Sequence, residues 1–280
     1  MSPLGIGTTV TLNNGTTIPQ LGLGVFNSST CKDACLKAFD DGYRHIDTAQ
    51  LYDNEEEVGN ALKSSSLPRS SIYVTSKVWD PQHTRKDAYK AVVDSLKRLQ
   101  TDYMDLYLVH NPKSGPSGRH QAWLGLQDAV AEGKIKSIGV SNFTPAHIDA
   151  LMKSEGVKIK PVINQIELHP WNQQKEISSY CKKENIAVQA YSPLTQGKKL
   201  GDPVIREIAG KHGKSPAQVV IRWVLQQGVV AIPKSENPNR IKENIDIYDF
   251  ELDENDLLRI SKLDQGMKGN IGAWNPFAYE

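Results

Sequence analysis

Eight short apolar runs, most of them followed by a longer stretch with helical spacing, constrain this chain more than any other feature. The runs occupy residues 20–26 (QLGLGVF), 44–50 (RHIDTAQ), 71–79 (SIYVTSKVW), 104–110 (MDLYLVH), 135–143 (IKSIGVSNF), 160–168 (KPVINQIEL), 186–194 (IAVQAYSPL) and 228–235 (GVVAIPKS). They are rich in β-branched residues and nearly continuous in apolar character, as expected of parallel strands buried on both faces. The clearest helix runs from Thr84 to Gln100, where Ala88, Ala91, Val92, Ser95, Leu96 and Leu99 share one face. Asn54 before Glu55, Glu56 and Glu57 reads as an N-cap with an acidic first turn. Ser29 or Thr30 is expected to cap the helix after the first strand, and Gly42 to end it. Eight strand–helix units fit a closed barrel or a large doubly wound sheet. Gly22-Leu23-Gly24 lacks the third glycine of a dinucleotide-binding fingerprint. The polar residues of interest sit at the ends of several different strands, which a barrel gathers at one face. The expectation is therefore one (β/α)8 TIM barrel over residues 1–280. A β-hairpin at residues 8–20, turning at Asn14-Gly15, should close the N-terminal end of the barrel.

Composition narrows the function classes. The net charge is +1, from 33 Lys and Arg against 32 Asp and Glu, so no basic excess points to nucleic acid. No apolar run approaches the roughly 18 residues of a membrane span, and MSPLGIGTTV has no secretory pattern. Three cysteines are too few for a disulfide framework and suit a reducing compartment. Cys31 and Cys35, four apart on a helix, read as packing residues. The expected setting is the cytoplasm, with no membrane or nucleic-acid partner, as a monomer or weak dimer.

The segment GYRHIDTAQLYDNEEEVG (42–59) places Asp47 and Tyr52 just past a strand. Lys77 ends the next strand, in SKVW, and His110 ends the fourth, in YLVHNP. Burying a charge costs several kcal/mol unless it is paired, so Asp47 and Lys77 are expected to pair in one site. A metal site built on His110, His45 and His169 is the other reading. Neither HExxH nor paired Cys spacing supports it, and no metal is expected.

Together these segments resemble the aldo-keto reductase family. The likeness extends through GVSNF (139–143), NQIELHP (164–170), QAYSPL (189–194) and IPKSENPNRIKEN (232–244), in order and each at a strand end. The resemblance implies a catalytic tetrad of Asp47, Tyr52, Lys77 and His110 that reduces aldehydes and activated ketones with hydride from NADPH. Tyr52 would be the general acid. A phenol near pKa 10 is a weak acid at neutral pH, and the Lys77 ammonium is expected to lower it. His110 would donate a hydrogen bond to the carbonyl oxygen. The alternative is a non-catalytic NADPH-binding regulatory protein on the same barrel.

The same resemblance places the nicotinamide amide against Ser141, Asn142 and Gln165, with Tyr191 stacked on its ring. Ser192 and Leu194 would contact the pyrophosphate, Leu194 through its backbone. Lys234, Ser235 and Arg240, with a helix capped by Asn237 and opened by Pro238, make a site for a dianionic phosphate. That site selects NADPH/NADP+ over NAD, with Glu243 and Asn244 on the adenine. TQGKKLGDP (195–203) is short for a cofactor-covering loop, which implies quick cofactor release. Phe26, Trp79 and Trp274 are expected to wall the substrate pocket. Asn111 follows the histidine where many family members have tryptophan. The segment KSGPSGRHQ (113–121) reads as a short loop. Both features imply an open, polar pocket, in which Asn111 could bond a second oxygen of a keto ester, keto lactone or hydroxy aldehyde.

Overall fold

The structure, a computed structural model, describes residues 4–272 and 274–279. Strands β1 (Thr9–Thr11) and β2 (Thr17–Pro19) form the antiparallel hairpin, with Val10 opposite Ile18. Gly15 turns it at a φ of +84°, a value that suits glycine. Its buried Leu12 and Ile18 pack on Leu106, Leu108, Ile163 and Val230 of the barrel interior. Asn13 donates to the Pro161 carbonyl at 2.8 Å and Asn14 to Ser137 Oγ at 2.9 Å, which fixes the plug.

Eight parallel strands follow in chain order: β3 (Leu23–Gly24), β4 (His45–Asp47), β5 (Tyr73–Val78), β6 (Met104–Val109), β7 (Ile135–Ser141), β8 (Ile163–Glu167), β9 (Ala187–Tyr191) and β10 (Val230–Ala231). The first and last meet: Gly22 N donates to Ala231 O at 2.8 Å and Gly24 N to Pro233 O at 3.2 Å, closing the barrel. Every expected strand is present, though each is shorter than its apolar run. Side chains alternate as a pleat requires. In β6, Leu106 and Leu108 join the interior cluster, whereas Tyr107 and Val109 join the cluster formed with the helices. The same period turns Ser76 out to the Glu55 carboxylate and leaves Lys77 facing in.

Helices α1 (Cys31–Asp40), α2 (Glu55–Ser64), α3 (Arg85–Leu99), α4 (Gly115–Ala131), α5 (Pro145–Met152), α6 (Lys175–Lys183), α7 (Pro203–His212), α8 (Pro216–Gln226), α9 (Pro238–Ile245) and α10 (Glu254–Ser261) surround the strands. None of the described helices is long and apolar enough to cross a membrane. Three local expectations need correction. Residues 115–121 are the start of α4, opened by Pro116, so the loop after β6 is shorter still. Asn54 stands at the N-cap position of α2, but its side chain is committed elsewhere. It donates to Val25 O at 2.8 Å and accepts from Thr48 Oγ1 at 2.6 Å. Thr30 stands at the N-cap of α1 without a side-chain cap; the Glu236 carboxylate takes the Ser29 and Thr30 amides instead.

Helices α3 and α4 approach each other through Gly125. A Cβ there would lie 2.3 Å from the Arg85 carbonyl oxygen and 3.1 Å from the Tyr89 nitrogen. Both are backbone atoms and cannot swing away. Gly125→Ala is therefore expected to destabilise the protein by about 1–3 kcal/mol through overpacking, despite alanine's higher helix propensity. Denaturant unfolding checks this; a stabilised variant would contradict the close approach.

Candidate active site

The site is built at the C-terminal end of the barrel. Asp47 is the last residue of β4, and a single 3-10 turn (Gln50–Tyr52) carries Tyr52 back over the mouth. Lys77 lies one residue before the end of β5, and His110 directly follows β6. Lys77 is fully buried, and its ammonium has three partners. It donates to Asp47 Oδ1 at 2.5 Å, Thr48 O at 2.8 Å and Tyr52 Oη at 3.3 Å. Gln165 from β8 donates to the other Asp47 oxygen at 2.7 Å and to Gln189 Oε1 at 3.0 Å. With both amide hydrogens used, Gln165 keeps only its carbonyl oxygen to offer as an acceptor.

Burial pushes the Lys77 ammonium down from its usual pKa and the Asp47 carboxyl up, and the contact between them opposes both shifts. Burial also raises the Tyr52 phenol well above its ordinary range, with the Asp47 carboxylate acting in the same direction. The expected lowering by Lys77 is thus not the direction found, although its ammonium lies 3.3 Å from the hydroxyl. Tyr52 is held protonated. Burial, with the Lys77 charge, pushes His110 well below its usual pKa. A neutral imidazole has one N–H to donate. The His110 ring meets Tyr52 edge-on at 5.7 Å and Trp79 at 5.2 Å.

One cavity of about 1030 Å³ opens over these groups. Asp47, Tyr52 and His110 line it, with Ser141, Asn142, Gln165, Tyr191, Ser192 and Leu194 beside them. It continues to Lys234, Ser235, Arg240, Glu243 and Asn244. Ser141 Oγ donates to Gln165 O at 2.9 Å, Asn142 Nδ2 to His110 O at 3.2 Å and Tyr191 Oη to Asn142 Oδ1 at 3.0 Å, so these side chains brace one another. At the far end Asn237 accepts from the amides of Asn239 and Arg240 and caps α9, whose first residue is Pro238. Gln196, Gly197 and Leu200 line the cavity from the short segment between β9 and α7.

Phe26 stands exposed at the mouth with its ring 5.0 Å from that of Tyr52. Trp274 lines the cavity and meets Trp79 edge-on at 5.7 Å. Asn111 is not brought to the pocket. It is fully buried, donates to Asp80 Oδ1 and accepts from the Lys113 amide, away from the residues that line the cavity. His45 and His169 have separate partners, Thr75 and Glu167. Among the described residues no group of three or more His, Cys, Asp or Glu is placed to hold a metal.

Sequence reasoning missed Gln189, Glu236 and Glu167. Glu167, buried at the end of β8, accepts from the amides of Ile271 at 2.7 Å and Gly272 at 2.8 Å and so holds the segment that carries Trp274. Its position inside NQIELHP, a charge in an apolar run, is the signal that could have found it.

The sequence model of the Aldo/keto reductase family matches residues 3–265. Methylglyoxal reductase DkgA of Escherichia coli (strain K12) is 48% identical over 265 residues, 93% of this chain and 95% of the relative. Glyoxal reductase of Bacillus subtilis (strain 168) is 45% identical over 266 residues, 94% of this chain and 95% of its own. Among solved structures, a Gox0644 variant in complex with NADPH superposes with a TM-score of 0.91 at 38% identity, covering 98% of this chain and 99% of its own. The aldo-keto reductase of Bombyx mori in complex with NADP does so with a TM-score of 0.85 at 35% identity and 94% of each chain. With nearly the whole chain matched in sequence and in barrel geometry, the protein belongs to the aldo/keto reductase family.

Proposed function

We propose that this protein reduces small aldehydes and activated ketones, dicarbonyls among them, to alcohols, with Tyr52 as the proton donor. Family membership makes it an NADP-dependent oxidoreductase; the substrate class and the residue roles are our reading. The observation that carries it is the fully buried Lys77, which joins Asp47 to the Tyr52 hydroxyl at the floor of a cavity that ends at two cations. The relatives named for methylglyoxal and glyoxal support small dicarbonyls. The buried Asn111 removes the reason for expecting a special contact to keto esters or lactones.

NADPH, when bound, supplies the hydride that no side chain can. The residues fit that cofactor: Lys234 and Arg240, beside the positive end of the α9 dipole, offer the charge that a 2′-phosphate requires. Gln165, with only its carbonyl oxygen left to offer, would accept from the carboxamide nitrogen, while Ser141 and Asn142 border the same place. Tyr191 would stack on the ring, and Ser192 with the Leu194 backbone would hold the pyrophosphate. Glu243 and Asn244 would meet the adenine.

The reacting carbonyl oxygen sits between Tyr52 Oη and the His110 imidazole. Tyr52 gives its proton to the oxygen as the carbon becomes sp³. The Lys77 ammonium stabilises the phenolate that remains, and Asp47 holds Lys77 in place. The phenolate then regains a proton from solvent. Phe26 and Trp274, which line the cavity, would wall the substrate; Trp79, expected there too, is not among the lining residues and would instead support Trp274 and His110.

Purified protein should oxidise NADPH when methylglyoxal is added, followed by loss of dihydronicotinamide absorbance. No turnover on methylglyoxal or on any aromatic aldehyde would end the proposal. Lys234→Ala and Arg240→Ala should each raise the KM for NADPH about tenfold or more, as removal of a charge-assisted phosphate contact does, and should barely move the KM for NADH. Equal effects on the two cofactors would remove the 2′-phosphate from this place.

A further inference from the structure

The N-terminus of α1 is capped from a distant part of the chain, and that cap touches the phosphate site. Glu236 follows Lys234 by two residues in the segment between β10 and α9. One carboxylate oxygen accepts from Ser28 Oγ at 3.1 Å, Ser29 Oγ at 3.1 Å, the Thr30 amide at 3.2 Å and the Ser29 amide. The other accepts from Lys234 Nζ at 2.9 Å. A carboxylate at a helix N-terminus is favoured by the unpaired amides and the helix dipole. With Lys234 and these donors, the Glu236 pKa is pushed down to about 2. Glu236 lines the same cavity as Lys234 and Arg240.

We infer that Glu236 is a specificity-determining residue, a fixed carboxylate that competes with the 2′-phosphate for Lys234 and so narrows the preference for NADPH over NADH. The inference rests on the reading that the adenosine ribose lies at Lys234. Lys234 is a flexible cation that can turn from one anion to another. Glu236 cannot retreat as easily, because the β3–α1 connection holds it through four hydrogen bonds. A dianionic phosphate arriving at Lys234 therefore meets a like charge that stays in place. The 2′-hydroxyl of NADH is a donor instead, and a carboxylate is a suitable acceptor for it.

The test uses the full-length protein and equilibrium binding, read by quenching of tryptophan fluorescence. NADPH, NADH, 2′,5′-ADP and 5′-AMP are the probes. Glu236→Gln keeps an acceptor oxygen for the Ser29 and Thr30 amides and removes the charge. It should raise the NADPH-to-NADH affinity ratio about fivefold, the scale of one partly exposed ion pair, and raise the 2′,5′-ADP-to-5′-AMP ratio in parallel. Glu236→Asp keeps the charge and should stay near wild type. A melt confirms that each variant is folded; if the glutamine variant is not, Glu236→Asn against Glu236→Asp makes the same charge comparison at shorter length. Ratios unchanged or lowered on loss of the charge, while Lys234→Ala still weakens NADPH, would overturn this inference alone. Lys234→Ala leaving NADPH affinity unchanged would overturn it together with the phosphate site beneath it.

Discussion

Tyr52→Phe is expected to lower kcat for aldehyde reduction by about 10²- to 10⁴-fold, the usual contribution of a positioned acid, with little change in the Kd for NADPH. The substitution removes one oxygen and keeps the ring. Phe26 at 5.0 Å and His110 at 5.7 Å retain their edge contacts. Lys77 loses its longest hydrogen bond, 3.3 Å, and keeps Asp47 and the Thr48 carbonyl. The floor of the cavity therefore stays as it is, and only the proton disappears. Steady-state kinetics with an aldehyde, alongside cofactor titration by fluorescence, separates the two effects. A fall of less than tenfold would mean that the proton reaches the oxygen by another route, such as the His110 imidazole. A large loss of NADPH affinity would mean that the hydroxyl serves binding. The acid must be protonated at the start of each cycle, and burial together with Asp47 holds it so. Lys77 acts later, when charge appears on the phenolate.

The barrel was legible in the sequence because a buried parallel strand leaves a plain mark, a short apolar run between helical patterns. Lys77 was legible for the opposite reason: a charge in such a run has to be explained. Capping was read less well. Asn54 and Thr30 are good caps by residue type, but tertiary partners decide where such side chains go. Asn54 is drawn to Val25 and Thr48, and α1 is capped by Glu236, more than 200 residues away along the chain. Asn111 misled because position after the histidine says nothing of which way the side chain turns, and Asp80 captures it. The direction of the Tyr52 shift was misread because a neighbouring charge can be inferred from spacing, whereas the depth of burial cannot. Gln189, which shares Gln165 with Asp47, is an ordinary polar residue in a strand until the barrel closes around it.

Asp47→Ala should be the most destabilising substitution in the site, costing about 3–5 kcal/mol, because it leaves a buried ammonium without its counter-charge. Lys77 has no exposed surface through which to recover solvent. It would keep only the Thr48 carbonyl and the Tyr52 hydroxyl, and Gln165 would lose an acceptor. The pH dependence identifies the cause. Burial already lowers the Lys77 pKa, and removing Asp47 removes the main opposing influence. Over the interval between the depressed native pKa and the unfolded value of about 10.4, the unfolded chain binds more protons than the native one. Stability of the variant should therefore rise with pH across that interval, relative to wild type. Removing both charges, as Asp47→Asn with Lys77→Met, should recover much of the loss, since an apolar or neutral pair avoids the cost of burying ions. The double variant should nevertheless be inactive, because nothing then stabilises the phenolate. Denaturant melts at several pH values check the series. An Asp47→Ala protein as stable as wild type, with no rise toward alkaline pH, would show that water or another group reaches Lys77 and that the pair is not what keeps the charge in the barrel.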